Sequence, residues 1–239
     1  MSLLTHLRRI ADGLGSTLLA PACVLCRREA AGACLCEDCL ALLVPNGSAC
    51  ARCAEPLPRP TPLCGKCSQH PPAFDAAWAG FQYLAPLDQL VQRLKFGDAL
   101  AVGRALLPHW LAALRAARAA SGEALPAALV PVPLHPSRLR QRGYNQALEL
   151  ARDLGRELAI PVQHALTRAR ATAPMPGLDW DARRRNVRDA FSGNSRDLPA
   201  HLALVDDVMT SGATVNEAAR VLKAAGVQRV EVMVLARKP

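Results

Sequence analysis

The stretch HLALVDDVMTSGAT, residues 201–214, determines the predicted fold of the chain. A short apolar run ends in two carboxylates, and a turn rich in hydroxyl groups and glycine follows it. The pattern of residues 214–225 predicts a helix, and the apolar residues 230–235 predict a second strand. A strand, a loop, a helix and a second strand in this order predict a parallel βαβ unit.

The loop of this unit combines groups that suit a phosphorylated sugar. It follows the carboxyl end of its strand, where open α/β sheets bind ligands. Its amide N–H groups precede a helix, so they can point at an anion, and Gly212 lets the backbone approach a phosphate closely. Thr210 and Thr214 add hydroxyl donors, while Asp206 and Asp207 suit a ribose diol or a hard cation such as Mg²⁺. The alternative is a strand end whose acids only cap the next helix.

The same stretch resembles the phosphoribosyl pyrophosphate (PRPP) motif of type I phosphoribosyltransferases. It shares an apolar run, two acids, two variable residues and then Thr-Ser-Gly-Ala-Thr. The resemblance implies that Asp206 and Asp207 are catalytic residues that hold the ribose hydroxyls and Mg²⁺. It implies that the ribose phosphate is cradled by the next five motif residues, which are Thr210, Ser211, Gly212, Ala213 and Thr214.

Length and composition limit the class of protein. The chain has 239 residues, of which 51% are hydrophobic and 21% charged, enough for one α/β domain and a small module. No apolar run approaches the roughly 18 residues that span a bilayer, and Arg8 and Arg9 interrupt any signal-peptide pattern. We therefore expect a cytoplasmic protein without a membrane span. The net charge of +9 favours anionic partners, either polyphosphates or nucleic acid.

The N-terminal part of the chain contains nine cysteines, and eight of them form four Cys-x-x-Cys pairs. Two such pairs can complete a closed four-thiolate zinc site. Sequential pairing predicts two structural zinc ions, although a cross-braced pairing also fits the spacing, and it leaves Cys34 as a free thiol. The predicted ligands are Cys23, Cys26, Cys36 and Cys39 for one ion, and Cys50, Cys53, Cys64 and Cys67 for the other.

Two other uses of these cysteines are less consistent with the sequence. Disulfides conflict with the expected compartment, and a redox Cys-x-x-Cys normally opens a helix in a βαβ unit, which this Pro-rich segment does not predict. With few large apolar residues, the segment would draw its folding energy from the metal. We predict an N-terminal helix and double zinc ribbon over residues 1–72, and an α/β domain over residues 73–239.

Further elements follow from apolar periodicity. Residues 2–19 predict an amphipathic helix, and residues 76–83 predict a strand. A helical stripe ends at Gly97, and another helix over residues 99–120 is expected to kink or split at Pro108. The stripe consists of Leu87, Leu90, Val91 and Leu94.

Two basic segments lie around the predicted anion site. Residues 134–144 are predicted to be a loop between a strand over residues 128–133 and a helix over residues 145–158. This loop carries Arg138, Arg140 and Arg142, whose guanidinium forks suit phosphate, although a solvated basic loop is the alternative.

Residues 166–191 form the second basic segment and are polar and irregular, with a helix predicted over residues 180–187. They predict either a lid or a flexible connector.

The whole chain is similar to the ComF family, which is phosphoribosyltransferase-like and linked to natural competence and DNA uptake. The features that carry this resemblance include the double zinc ribbon, the PRPP loop and the Arg183/Asn186/Phe191 segment. They also include Leu-Lys-Phe-Gly at residues 94–97, Val-Pro-Val-Pro at 130–133 and Arg-Gly-Tyr-Asn-Gln at 142–146. One departure is Met175, which stands where the family usually has glutamine. If that amide contacts substrate, the contact is altered or lost here.

The resemblance implies a type I phosphoribosyltransferase fold, a mostly parallel twisted sheet with flanking helices and a small hood. It implies transfer of ribose phosphate from PRPP, with Mg²⁺, to a nitrogen nucleophile and release of pyrophosphate. Arg138 and Arg142 are then candidates for holding pyrophosphate, and Arg183 or Arg185 would close from the lid. The rival hypothesis is a non-catalytic protein that reuses the phosphate loop to bind nucleic acid, such as single-stranded DNA, or competence proteins.

Overall fold

The computed structural model describes residues 22–30, 34–59, 61–96, 99–171, 180–194 and 197–239. The helix predicted over residues 2–19 lies outside these ranges, as do Gly97 and Met175.

A four-stranded sheet lies at the centre of the described structure. Its strands are β1 (Ala76–Gln82), β2 (Leu129–Pro131), β5 (His201–Met209) and β6 (Arg229–Arg237), in the order β1-β6-β5-β2. Each pair of neighbours is parallel, so the carboxyl ends of all four strands lie at one edge. The sheet confirms the predicted α/β class, and this common edge sets where ligand-binding loops meet.

The βαβ unit predicted from residues 201–214 and beyond is confirmed. Helix α8 (Ala213–Ala224) joins β5 to β6, which pair in parallel. Leu202, Leu204 and Val230 are completely buried, as expected for parallel strands that are covered on both faces. The helix begins one residue earlier than the sequence pattern indicated.

Helices cover both faces of the sheet. Helices α3 (Leu87–Phe96), α4 (Ala99–Ser121) and α6 (Gln146–Leu158) pack with β5 and β6 in one core, and α8 packs in a second core on the other face. The predicted stripe of α3 is buried along its whole length.

Pro108 does not split its helix, so of the two predicted outcomes, a kink or a split, the split is wrong. Helix α4 runs through it without interruption. Pro108 is exposed, whereas Leu106 and Trp110 on either side of it are buried. Packing of both halves on the core offsets the loss of one backbone hydrogen bond.

The prediction that residues 134–144 form a loop is wrong, because most of them form helix α5 (Pro136–Arg142). His135 caps this helix, since its side chain accepts a hydrogen bond from the amide of Ser137, and Pro136 occupies the first turn. Gly143 ends the helix in the left-handed conformation at φ 81°.

The basic segment between residues 166 and 191 contains a small antiparallel pair. Strand β3 (Leu166–Arg168) pairs with β4 (Phe191–Gly193), and α7 (Trp180–Val187) precedes β4. The helix over residues 180–187 is confirmed, whereas the two short strands were predicted as irregular chain.

The cysteine-containing segment lies along the free edge of β1. It includes two short helices, α1 (Glu37–Ala41) and α2 (Gly65–Gln69). The amide of Asn46 donates to the carbonyl of Gly80 at 3.0 Å, and that of Gln82 donates to Val44 at 2.8 Å. Leu35 and Leu43 belong to the same core as the sheet. The boundary at residue 72 stays a prediction.

In the part of the chain that the structure describes, no helix is both long and apolar enough to cross a membrane.

Candidate functional site

The eight paired cysteines form two clusters. Their sulfur atoms group as the sequential pairing predicted, and within each cluster all four lie within 4.8 Å of one another. The first cluster comprises Cys23, Cys26, Cys36 and Cys39, and the second comprises Cys50, Cys53, Cys64 and Cys67. Cys34 belongs to neither cluster.

Distances between sulfur atoms fit a tetrahedral zinc ion. Zn–S bonds of about 2.3 Å at tetrahedral angles place two sulfurs about 3.8 Å apart. The sulfurs of Cys26 and Cys36 are 3.7 Å apart, and those of Cys53 and Cys64 are also 3.7 Å apart. Both clusters therefore have the spacing that a closed structural zinc site requires.

Each cluster contains a buried thiol whose pKa is lowered. Burial raises the pKa of Cys23 and Cys50, but amide donors outweigh this effect and lower the pKa to about 6 and about 7. The amide of Cys36 donates to the Cys23 sulfur at 3.5 Å, and the amide of Cys64 donates to the Cys50 sulfur at 3.2 Å. Because zinc binds thiolates, this shared arrangement supports metal binding at both clusters.

The loop after β5 forms a nest of amide donors at the carboxyl edge of the sheet. Thr210, Ser211 and Gly212 connect β5 to α8, and Gly212 has φ 75°. Within the described chain, the amides of Ser211, Gly212 and Thr214 donate to no protein acceptor, and that of Ala213 donates to the Ser211 hydroxyl at 3.4 Å. Free N–H groups at the positive end of a helix dipole favour an anion.

Asp206 and Asp207 lie near the carboxyl end of β5, just before this nest. Asp206 is partly exposed, whereas Asp207 is 9% exposed. Oδ1 of Asp206 accepts the amide of Asp207 at 2.9 Å, and Oδ1 of Asp207 accepts the amide of Val208 at 2.8 Å. Because successive strand residues point to opposite faces, the two carboxylates leave the sheet on different sides. The two carboxylates therefore do not bind one ligand group from the same face of the sheet.

Helix α5 places its three arginines on different sides of the helix. Arg138 and Arg142 are one turn apart on the same side and partly buried, whereas Arg140 is exposed elsewhere on the helix. Burial and the charge of Arg142 lower the pKa of Arg138. Since β2 neighbours β5, these two cations lie at the same sheet edge as the nest. An anion bound between them would relieve their repulsion.

Arg168 is a site residue that the sequence reasoning missed. It is 7% exposed, and its guanidinium lies 5.3 Å from the centroid of the Phe191 ring. Burial lowers its pKa, the charge of Arg138 acts in the same direction, and the charge of Asp206 opposes both. Arg168 thus lies within electrostatic range of both Arg138 on α5 and Asp206 on β5. Nothing in the local sequence distinguishes Arg168 from Arg170 two residues later, so no signal for it was available.

Helix α7 carries Arg183 and Arg185, the two arginines expected to approach the site from the lid. Arg185 is exposed and lines a cavity of about 450 Å³ with Ala213 and Asn216 at the start of α8. The side chain of Arg183 lies outside the described residues. The structure brings Arg185 to the end of α8 that carries the nest.

A larger cavity separates the second cysteine cluster from the nest. It measures about 650 Å³, and both cluster and nest line it. Its lining includes Cys64, Lys66, Ser211, Gly212, Arg237 and Lys238. The cavity lies within the size range of small-ligand sites. Lys66 and Lys238 give its lining positive charge, while Arg237 there is paired with Glu55.

Comparison with known proteins agrees with this geometry. Residues 145–239 match the phosphoribosyl transferase domain. The chain is 36% identical over 192 residues to competence protein F of Haemophilus influenzae, covering 79% of this chain and 84% of that protein. It is 34% identical over 204 residues to the DNA utilization protein YhgH of Salmonella typhimurium, covering 85% and 90%, respectively. The domain match includes the nest and the acids, but it begins after α5.

Proposed function

The chain belongs to the ComF family, and from this premise we propose that it binds PRPP and transfers ribose phosphate to a nitrogen nucleophile with release of pyrophosphate. The observation that carries the proposal is the shared sheet edge, where an amide nest, two acids and an arginine pair meet. We further infer a cytoplasmic role in the uptake or use of DNA, in line with the names of the two relatives.

Each part of the site has a separate task in this proposal. The nest residues Thr210, Ser211, Gly212, Ala213 and Thr214 hold the 5′-phosphate of PRPP. Asp206 holds ribose hydroxyls on the face of the sheet towards Arg168. Asp207 lies at the same end of β5 on the opposite face, where its carboxylate stabilises the end of the strand. The ribose ring gains oxocarbenium character as the bond to pyrophosphate breaks, so the main requirement is to position the sugar and neutralise the leaving group.

The leaving pyrophosphate is held by Arg138 and Arg142 in this proposal, with Arg183 or Arg185 approaching from α7. Guanidinium groups suit this task because they bind phosphate oxygens in pairs and remain charged. Mg²⁺, for which a carboxylate oxygen of either Asp206 or Asp207 is a suitable donor, would neutralise pyrophosphate charge when bound with PRPP. Zinc would hold the two cysteine clusters and contribute folding energy, with no direct part in the transfer step.

Binding and turnover can be tested separately. Calorimetric titration with PRPP and Mg²⁺ should show binding that Asp206→Asn weakens while ribose 5-phosphate still binds. A pyrophosphate-release assay over a series of nitrogen bases should then identify a nucleophile. If PRPP does not bind, or if Asp206→Asn binds it as the parent protein does, the proposal is wrong.

A second candidate is a non-catalytic protein that binds single-stranded DNA or a competence protein. The net charge of +9 and the names of the relatives favour it. Phosphate contacts with DNA release counterions, so affinity should fall steeply as salt concentration rises. Steep salt dependence together with insensitivity to Asp206→Asn would favour this candidate over the enzyme.

A further inference from the structure

Arg237, the last residue of β6, joins the second cysteine cluster to the phosphate loop. It is 6% exposed, and all three of its guanidinium nitrogens donate hydrogen bonds. Nε donates to the carbonyl of Cys53 at 3.0 Å, and Nη2 donates to the carboxylate of Glu55. Nη1 donates to the carbonyls of Met209 at 3.2 Å and Thr210 at 2.5 Å. One buried side chain therefore contacts both elements directly.

The bonds to Met209 and Thr210 fix the orientation of two donors in the nest. In a planar trans peptide, the C=O of one residue and the N–H of the next point in opposite directions. Holding the Met209 carbonyl therefore fixes the Thr210 amide, and holding the Thr210 carbonyl fixes the Ser211 amide. The amide of Lys238 adds a bond to the Met209 carbonyl at 3.0 Å. Arg237 thus holds the rear of the loop while the amides face outward.

The other side of Arg237 depends on the second cysteine cluster. Its acceptors are the backbone of Cys53, a predicted zinc ligand, and the side chain of Glu55 two residues later. The first cluster has no such bond to the loop among the described residues. If the second cluster loses its metal, the turn at residues 50–55 loses its support, and the acceptors of Arg237 shift.

We propose that Arg237 is a positioning residue that makes phosphate binding by the loop depend on metal in the second cysteine cluster. The inference rests on the proposed function, because it takes the loop to be a phosphate cradle. Zinc in this cluster then has a role beyond folding of the ribbon: it holds the loop amides in their binding orientation. The first cluster, which has no bond to the loop among the described residues, has no part in this coupling.

Substitution of Arg237 tests the first half of the proposal. Arg237→Lys keeps the buried charge beside Glu55 but loses the fork that reaches both sides. We expect it to retain its zinc and to bind ribose 5-phosphate about tenfold more weakly. Hydrogen exchange of the Lys238 amide, which donates to the Met209 carbonyl, should be faster. Arg229→Lys is a matched control, because Arg229 begins the same strand at the opposite end and is also ion-paired. It should bind ribose 5-phosphate as the parent does.

A double perturbation tests the coupling itself. Cys64→Ser should lower the zinc content by one ion and weaken ribose 5-phosphate binding in the parent. In the Arg237→Lys background the same change should cause little further loss, because the link is already broken. Cys36→Ser is the equivalent change in the first cluster, since Cys36 and Cys64 both precede a short helix and are partly buried. It should remove one zinc ion with a much smaller loss of phosphate affinity.

The outcomes separate this inference from the proposed function. If the parent protein binds no ribose 5-phosphate, the loop is not a phosphate cradle, and both proposals are overturned. If the parent binds it but Arg237→Lys behaves like Arg229→Lys, only the positioning role of Arg237 is overturned. If Cys64→Ser and Arg237→Lys weaken binding additively, both residues matter independently, and the coupling is overturned. Sub-additive losses that Cys36→Ser does not reproduce support the proposal.

Discussion

The two glycines at the ends of α8 allow a matched test of the phosphate loop. Gly212 precedes the helix with φ 75°, and Gly226 follows it with φ 97°. A Cβ at Gly212 would lie 3.6 Å from the Met209 sulfur, an ordinary contact, and a Cβ at Gly226 would meet nothing within 4 Å. The cost of a side chain at either position is therefore backbone strain rather than a clash with the protein.

The magnitude follows from the backbone conformation. A non-glycine residue in the left-handed region costs about 1–2 kcal/mol. In a chain of this size each kcal/mol corresponds to about 2–4 °C in Tm. The Tm of Gly212→Val and that of Gly226→Val should therefore each be about 2–8 °C lower than that of the parent. Their effects on ligand binding should differ. At residue 212, relief of strain turns the amides of Gly212 and Ala213 away from the ligand, and each lost charge-assisted bond weakens binding about tenfold to a hundredfold.

The assay is calorimetric titration of both variants with ribose 5-phosphate, with thermal melts to establish that each is folded. Gly226→Val should bind as the parent does despite its lower Tm, whereas Gly212→Val should show little or no binding. A folded Gly212→Val protein that binds ribose 5-phosphate at parental affinity would refute the phosphate-cradle assignment. Equal losses in both variants would show that general destabilisation, and not the nest, controls binding.

Three further predictions concern other parts of the chain. Elemental analysis should find two zinc ions per chain; Cys34→Ser should leave this number unchanged and Cys53→Ser should lower it, while metal-free parent protein would contradict the zinc assignment. Arg138→Ala should weaken PRPP binding more than ribose 5-phosphate binding, about tenfold to a hundredfold by titration, and Arg140→Ala should change neither. Glu231 is buried, which raises its pKa, but two paired arginines outweigh burial and hold the pKa below its ordinary value. The stability that the ionised Glu231 contributes should be complete above pH 4.5 and decrease as pH falls further. Glu231→Gln should cost on the order of 3 kcal/mol of stability and make Tm depend less on pH below 4.5.

The features that the sequence predicted are those whose signals are local. The βαβ unit is encoded by consecutive apolar runs around one loop, and the loop motif itself spans fewer than ten residues. The two cysteine clusters were predictable because metal-ligand spacing is a short-range pattern, although choosing the sequential pairing over a cross-braced one required the sulfur positions. These arrangements need no information about which strands become neighbours.

Helix α5 was missed although its signals were present. Pro136 stands in its first turn and Gly143 just beyond its end, which is the usual asymmetry of proline and glycine at helix termini. The helix is only seven residues long and no residue in it is buried, so no apolar stripe indicated it. This helix matters for the proposed function, because helical spacing places Arg138 and Arg142 on the same side and Arg140 on another.

Arg168 and Arg237 show why the remaining site residues were not predictable. Each is a buried cation whose partners are distant in the sequence: Asp206 for Arg168, and Cys53 for Arg237. A buried guanidinium is costly unless its donors are satisfied, so its position reports where the fold supplies acceptors or anions. For Arg237, those acceptors lie at the rear of the loop and beside the second cluster. The sequence of the loop therefore specifies which groups can hold phosphate, whereas residues from other strands fix the direction in which those groups point.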